Sequence, residues 1–383
     1  MRPIDFIVET LAHMVRSSAG PPPGIPAHVG SDFERELSSL CEWHSVSPIV
    51  VASLEELALG PGISRITHER LRALARAAAT SNQGLFDDAT AFRRALSGEG
   101  IEALVCGESL FPLTLYEPGY LRPIEQVDFL VRENDWRKVI DVARGVGFVR
   151  IPEEPSPEVP EDALLYYQYY SPCVFRSRGG NTIQLRFRLF DIGRPDDDEV
   201  SWHHTRDGSW AGGQFRAVCE EDQLIQASIT YTMTRFGRLM NAVDIGLLLS
   251  RAGDRLDWRY VTERLSAKSL YPSFYFTVER VVDLFKLPGI MSKVTDPGMF
   301  RRKRYEILWR PGKMVKNSRH SSHSRRFRFY LLETGSWLDK IRFIGRVLSP
   351  RREWVSAFYG RPYRPWLKIK FIVLTLRSRL ASG

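Results

Sequence analysis

Apolar positions along the chain change rhythm three times. Ile4, Ile7, Val8, Leu11, Met14 and Val15 recur at helical spacing with Asp5 and Glu9 inside the same stretch, which predicts an amphipathic N-terminal helix and not a signal peptide. Helical spacing continues to about residue 95, broken at the proline-rich 21–26 and at GPGIS (60–64). The alanine- and leucine-rich second half of this region stops at Gly98 and Gly100. Short strands follow. Residues 101–106 (IEALVC) form an apolar run ending at Gly107, as a buried strand entering a turn would, and residues 127–131 (VDFLV) form a second. Between them, 109–116 can make a short helix, ended by Glu117-Pro118-Gly119. Asn134 or Asp135 then reads as a helix cap, and Trp136, Val139, Ile140, Ala143 and Val146 keep helical spacing. Two more strands are expected at 169–176 and 182–190, joined by Arg178-Gly179-Gly180-Asn181, whose glycines permit the positive φ of a tight hairpin. From about residue 220 the helical rhythm returns. Leu224, Ile225, Ser228, Ile229 and Thr232 form one face, Met240, Val243, Leu247 and Leu248 another, and Asp257-Trp258 caps a further helix through Val261 and Leu265.

This order predicts an α+β fold, a small mixed α/β sheet flanked by N-terminal and C-terminal helical regions. The expected division is a helical region at 1–95, an α/β core at 96–215, a helical bundle at 216–295 and a distinct segment at 296–383. With 383 residues, 43% of them hydrophobic, the chain can bury a core of that extent. No apolar run approaches the ~20 residues of a spanning helix. Cys41, Cys106, Cys173 and Cys219 make neither a CxxC pair nor a compact framework, so a reduced compartment follows, and the expected location is cytoplasmic, with peripheral attachment to a membrane as a variant.

Charge separates the last segment from the rest. Residues 300–383 hold 22 Lys and Arg against 4 Asp and Glu, a net of +18, so the other 299 residues carry −9 of the formal +9 total. Such a segment suits an anionic partner: nucleic acid, anionic lipid or an acidic protein. Nucleic acid is disfavoured, since no recognised reading motif accompanies the charge. Residues 361–379 surround an apolar core with Arg, Lys and Trp366, which admits two readings: a helix lying on an anionic membrane surface, or a helix packed on the domain with its cations solvated.

The chemistry is concentrated at 107–131, GESLFPLTLYEPGYLRPIEQVDFLV. GIEALVCG at 100–107, LY at 115–116, RPIEQVDFLV at 122–131, IQLRFRL at 183–189, LDWRYVTERL at 256–265 and SPRREWVSAFYGRP at 349–362 follow one another in the order of a known pattern. The chain resembles the uncharacterised nucleotidyltransferases of the DNA polymerase beta-like superfamily. There, a D-x-D pair on one strand and a third acid on a neighbouring strand hold magnesium against a nucleoside triphosphate. Alternate strand residues share a face, so i and i+2 carboxylates meet one metal site. In this chain the three matching positions are Gln126, Asp128 and Gln184; Cys106 replaces the family's lysine, and Arg186 its histidine. Each glutamine removes a negative charge worth about 4 kcal/mol against a monovalent charge ~4 Å away at an effective dielectric of ~20. The resemblance therefore implies the fold with an eroded metal site, acting in nucleotide binding or regulation or with very weak transfer activity. Asp128 is the candidate catalytic residue and metal ligand, and Gly107, Ser109 and Arg122 are candidate nucleotide-binding residues. A rival reading keeps an active magnesium-dependent transferase with Glu125 and Asp128 as the metal pair, although Glu125 is one residue out of phase on a regular strand. A third makes the protein a peripheral membrane or assembly factor working through its basic tail. Beyond a nucleotide, the resemblance implies a protein or glycan acceptor.

Other polar residues invite blander readings. Trp202-His203-His204 and the acidic run at 196–199 lack the spacing of metal sites, and His320 and His323 lie in a basic, serine-rich linker. Asp244 on an apolar helix is expected to pair with Arg235 or Arg238.

Overall fold

The computed structural model describes residues 1–17, 24, 29–56, 62–151, 173–190, 198–210, 213–234, 236–267, 270–298, 341, 352–359 and 361–380. Its first helices are α1 (Pro3–Arg16), α2 (Ser31–Trp43), α3 (Ser47–Glu56) and the long α4 (Arg65–Gly98). Of the predicted face of α1, Ile7, Leu11 and Val15 are fully covered and Ile4, Val8 and Met14 half-buried, and Phe6 beside it is fully covered as well. Helix α4 starts at Ser64, whose Oγ accepts from the Thr67 amide, and Glu34 of α2 accepts from both Ser64 N (2.7 Å) and Thr67 Oγ1 (2.6 Å). That contact ties α2 to the first turn of α4.

The sheet comprises β1 (Ala103–Cys106), β2 (Val127–Val131), β3 (Val149–Arg150), β4 (Cys173–Arg176), β5 (Thr182–Arg186), β6 (Thr205–Trp210) and β7 (Gly213–Val218). Its order is β3-β4-β5-β2-β1-β7-β6, with β2–β5 and β1–β7 parallel and the other neighbours antiparallel. The fold is thus α+β with a mixed sheet, as the apolar rhythm predicts, but with three strands that rhythm does not show. The hairpin before β5 turns at Gly180, φ +88°, as its sequence requires. Between β1 and β2 lies the short α5 (Phe111–Thr114), and after β2 comes α6 (Trp136–Gly145), buried through Trp136, Val139, Ile140 and Ala143. Residues 152–172 and 191–197 lie outside the described residues, and with them nearly all of IPEEPSPEVP (151–160), whose sequence reads as a proline-rich acidic loop, part of the expected strand at 169–176 and part of the acidic run at 196–199, also expected as a loop. Asp198 and Glu199 begin a helix, α7 (Asp198–His203), and not a loop.

The remaining helices are α8 (Glu220–Met233), α9 (Leu239–Ala252), α10 (Trp258–Ala267), α11 (Tyr271–Phe285), α12 (Arg352–Tyr359) and α13 (Pro365–Leu380). Asp257 caps α10 by accepting from Tyr260 N at 3.0 Å, as its position predicts. Helix α9 is buried on nearly all sides. One face of β2 packs on α4, with Phe129 edge-on to Phe92 at 5.3 Å between centroids. Its other face, carrying Asp128, turns toward α8 and α9, and the space between is the cleft.

Candidate functional site

Register positions the chemistry. Asp128 on β2 pairs with Cys106 of β1 on one side and with Gln184 of β5 on the other, so the positions that the strand pattern brings together meet at the centre of the sheet. The cleft there has a volume of about 350 Å³ and is walled by β2, β5, α8, α9 and the turn at Gly107. Gly107 has φ +71°, and a Cβ built on it would lie 2.5 Å from Asp128 Oδ2. Only glycine lets the carboxylate sit against this turn. The Gly107 amide donates to Gln226 Oε1 of α8 at 2.9 Å.

Asp128 is occupied by its neighbours. Arg186 Nε donates to Oδ2 at 3.1 Å, and Gln126 Nε2 donates to Oδ1 at 2.7 Å. With its amide oxygen toward Arg186, Gln184 accepts from Arg186 Nε at 2.9 Å and from Gln126 Nε2 at 3.3 Å. Gln126, Asp128, Arg186 and Gln184 therefore form a closed hydrogen-bond ring in which a guanidinium supplies the positive charge. Burial raises the Asp128 pKa, and Arg186 and Gln126 offset this only in part.

Two more carboxylates line the cleft, each with its own arginine. Glu125 precedes β2 instead of lying on it, so strand alternation does not turn it away; it stands at the rim, four-fifths exposed, 3.5 Å from Arg238 Nη1. Glu108 Oε2 accepts from Arg122 Nη2 at 2.8 Å. Burial raises the Glu108 pKa, but Arg122, assisted by Arg238 and Arg186, outweighs it and the net shift is downward. Among the described residues no group of three His, Cys, Asp or Glu is placed to hold a metal ion.

Arg122 is a buried strut. Its Nε and Nη2 donate to Asp244 of α9 at 3.0 and 2.7 Å, and Tyr116 OH donates to the same carboxylate at 2.7 Å. This corrects the expected partner of Asp244: Arg238 is turned to Glu125, and Arg235 lies outside the described residues. Burial raises the Asp244 pKa, with Arg122 opposing. The chain around Arg122 is pinned by Asn82 of α4, whose Nδ2 donates to Arg122 O (2.8 Å) and whose Oδ1 accepts from Ile124 N (3.1 Å). Ser109 is fully buried; its hydroxyl donates to Cys106 O at 2.8 Å and accepts from Asp128 N at 3.3 Å. Of the sequence-predicted residues, the structure brings Gly107, Arg122, Glu125 and Asp128 to one cleft, with Ser109 and Arg122 already held in internal hydrogen bonds. Glu108, Arg238, Asn82 and Gln226 were not foreseen. Only Glu108 had a local signal, its place directly after Gly107.

His203 and His204 diverge, the first exposed near Glu199 and the second against the Tyr260 ring, tilted by 31° with centroids 4.7 Å apart. His320 and His323 lie outside the described residues.

A mixed sheet whose central strand presents an acid to a glycine turn, with a parallel neighbour bearing the third polar position, defines the nucleotidyltransferase class of domain. A family model described as uncharacterised nucleotidyltransferase matches residues 32–286, and the chain belongs to that family. The match takes in the whole sheet and α2 to α11 and ends before residues 349–362 and the basic segment. No curated protein and no solved structure matches the chain.

Proposed function

We propose that this nucleotidyltransferase-family protein binds a nucleotide in a regulatory or at most very weakly catalytic role, its metal site having been exchanged for the Arg186 guanidinium. The observation that carries this reading is the contact of Arg186 Nε with Asp128 Oδ2 at 3.1 Å, with Gln126 and Gln184 completing the ring. Nucleotidyl transfer uses magnesium to bridge phosphate oxygens, and hard cations of this size take carboxylate oxygens. The donor set here does not fit that ion. Its one acid is already neutralised, and a divalent cation would stand beside a fixed positive charge. The family pattern of three acids and a neutral histidine carries −3, whereas Asp128 with Arg186 sums to zero.

A nucleotide suits the cleft on other grounds. Arg238, one-third exposed at the rim, can exchange Glu125 for a phosphate, and Ser45, Gln226, Thr230 and Asn241 line the wall with hydrogen-bonding groups. The rival pair of Glu125 and Asp128 has less support, since each carboxylate is engaged by a separate arginine.

The test is a gain of function. The triple variant Gln126→Asp, Gln184→Glu, Arg186→His should bind manganese in calorimetric titration where the wild-type protein does not, and nucleotide binding by the wild type should not change when magnesium is removed by a chelator. Magnesium-dependent consumption of a nucleoside triphosphate by the wild type, abolished in Asp128→Ala, would overturn the proposal.

A further inference from the structure

Helix α13 has two apolar faces, and only one is covered. Leu367 and Phe371 are buried, whereas Trp366, Ile369 and Val373 are exposed by 48%, 62% and 44%. At about 100° per residue those three fall within an arc of roughly 60° on the side away from Leu367 and Phe371. In the sequence Leu376 and Leu380 continue the same spacing. Cations border the open stripe. Lys370 is exposed beside it, with its ammonium 5.9 Å from the Trp366 ring, and Arg361 and Arg364 are exposed just ahead of the helix. After Glu353 the chain contains six Lys and Arg and no acid. The family match ends at residue 286, before this helix.

We infer that the outer face of α13 docks on an anionic lipid surface, with Trp366, Ile369 and Val373 entering the headgroup boundary and the flanking cations meeting lipid phosphates and carboxylates. The chemistry selects that occupant. An apolar ridge of a few side chains with an aromatic at one end and basic borders matches the interface of an anionic bilayer, where apolar burial and charge attraction add. The rest of the basic segment is a poor cover for it, since residues 300–352 hold 16 Lys and Arg against 3 acids and would repel the same borders. Helix α13, at 16 residues, lies on the surface; among the described residues no helix is long and apolar enough to cross a membrane.

The experiment is co-sedimentation of the full chain with phosphatidylserine-containing vesicles and with pure phosphatidylcholine vesicles. The wild type should pellet with the first only and show a blue shift in tryptophan emission that Trp366→Phe removes. Two surface variants, Ile369→Glu with Val373→Glu and Arg364→Glu with Lys370→Glu, should each lower the partition coefficient on the order of tenfold or more. Their melting temperatures report whether the fold is intact; if the first variant melts early, the Trp366→Phe emission test stands in its place. Failure to pellet with either vesicle overturns the inference, as does pelleting that ignores both the stripe and Trp366. A dimer in solution that Ile369→Glu with Val373→Glu converts to monomer would also overturn it, by placing a second copy on this face.

Discussion

At the scale of single residues, burial decides the charge state of His44. His44, between α2 and α3, is almost fully buried, and its Nδ1 accepts from the Leu239 amide at 3.3 Å. Burial, with a smaller contribution from Arg238, pushes its pKa down to about 4 against an upward pull from a backbone hydrogen bond. A depressed pKa means that the folded state holds the neutral ring. The stabilisation is complete above the unfolded value near 6.5 and is lost as pH falls toward about 4. The loss is on the order of 3 kcal/mol. Unfolding free energies measured by urea titration between pH 7 and pH 4 should therefore fall more steeply for the wild type than for His44→Gln, and parallel slopes would refute this assignment. Residue chemistry was legible in part. The two glutamines and Arg186 could be placed by the resemblance to the family pattern, but the pairing of Arg122 with Asp244 joins positions 122 apart and has no local trace.

At the scale of elements, packing between helices depends on one small residue. Gly246 lets α9 approach α1 and α11 so closely that an added Cβ would lie 2.8 Å from the Phe285 ring and 2.9 Å from Val15 Cγ1. Alanine would improve helix propensity by about 1 kcal/mol. Overpacking in a filled core costs about 1–3 kcal/mol, and both contacts are to buried side chains, so the cost should win. Gly246→Ala should lower the melting temperature by several degrees; a higher value would show that Phe285 and Val15 yield. Strands β1, β2 and β5 were visible in the sequence because they are short runs rich in apolar residues, as was part of β4. Strand β6, TRDGSW, was not, since it is a polar edge strand with no apolar alternation. Its partner β7 alternates Gln214 and Arg216 with buried Phe215 and Ala217, a period-two signal too short to stand out. That strand crosses the expected division at 215/216, because its parallel pairing with β1 is set by the sheet and not by composition.

At the scale of the whole molecule, helical regions and sheet share buried surface: α1 covers α9 and α11, and buried apolar residues run in one cluster from Phe6 to Phe371. Electrostatically the chain is two objects. The cleft's three carboxylates, Glu108, Glu125 and Asp128, each contact an arginine, Arg122, Arg238 and Arg186, and Arg122 also holds the buried Asp244, so the formal charges around the cleft sum to only −1. The net +18 of residues 300–383 reaches outward to roughly the Debye length, ~8 Å at physiological ionic strength and ~3 Å at 1 M. Adding salt should therefore dissolve any association made through the tail while leaving a ligand in the cleft nearly undisturbed. A titration repeated at low and high potassium chloride would show a steep loss for the first and a flat response for the second. Setting the cleft's acids against arginines has thus made the pocket nearly deaf to ionic strength, in a chain whose basic segment is tuned to it.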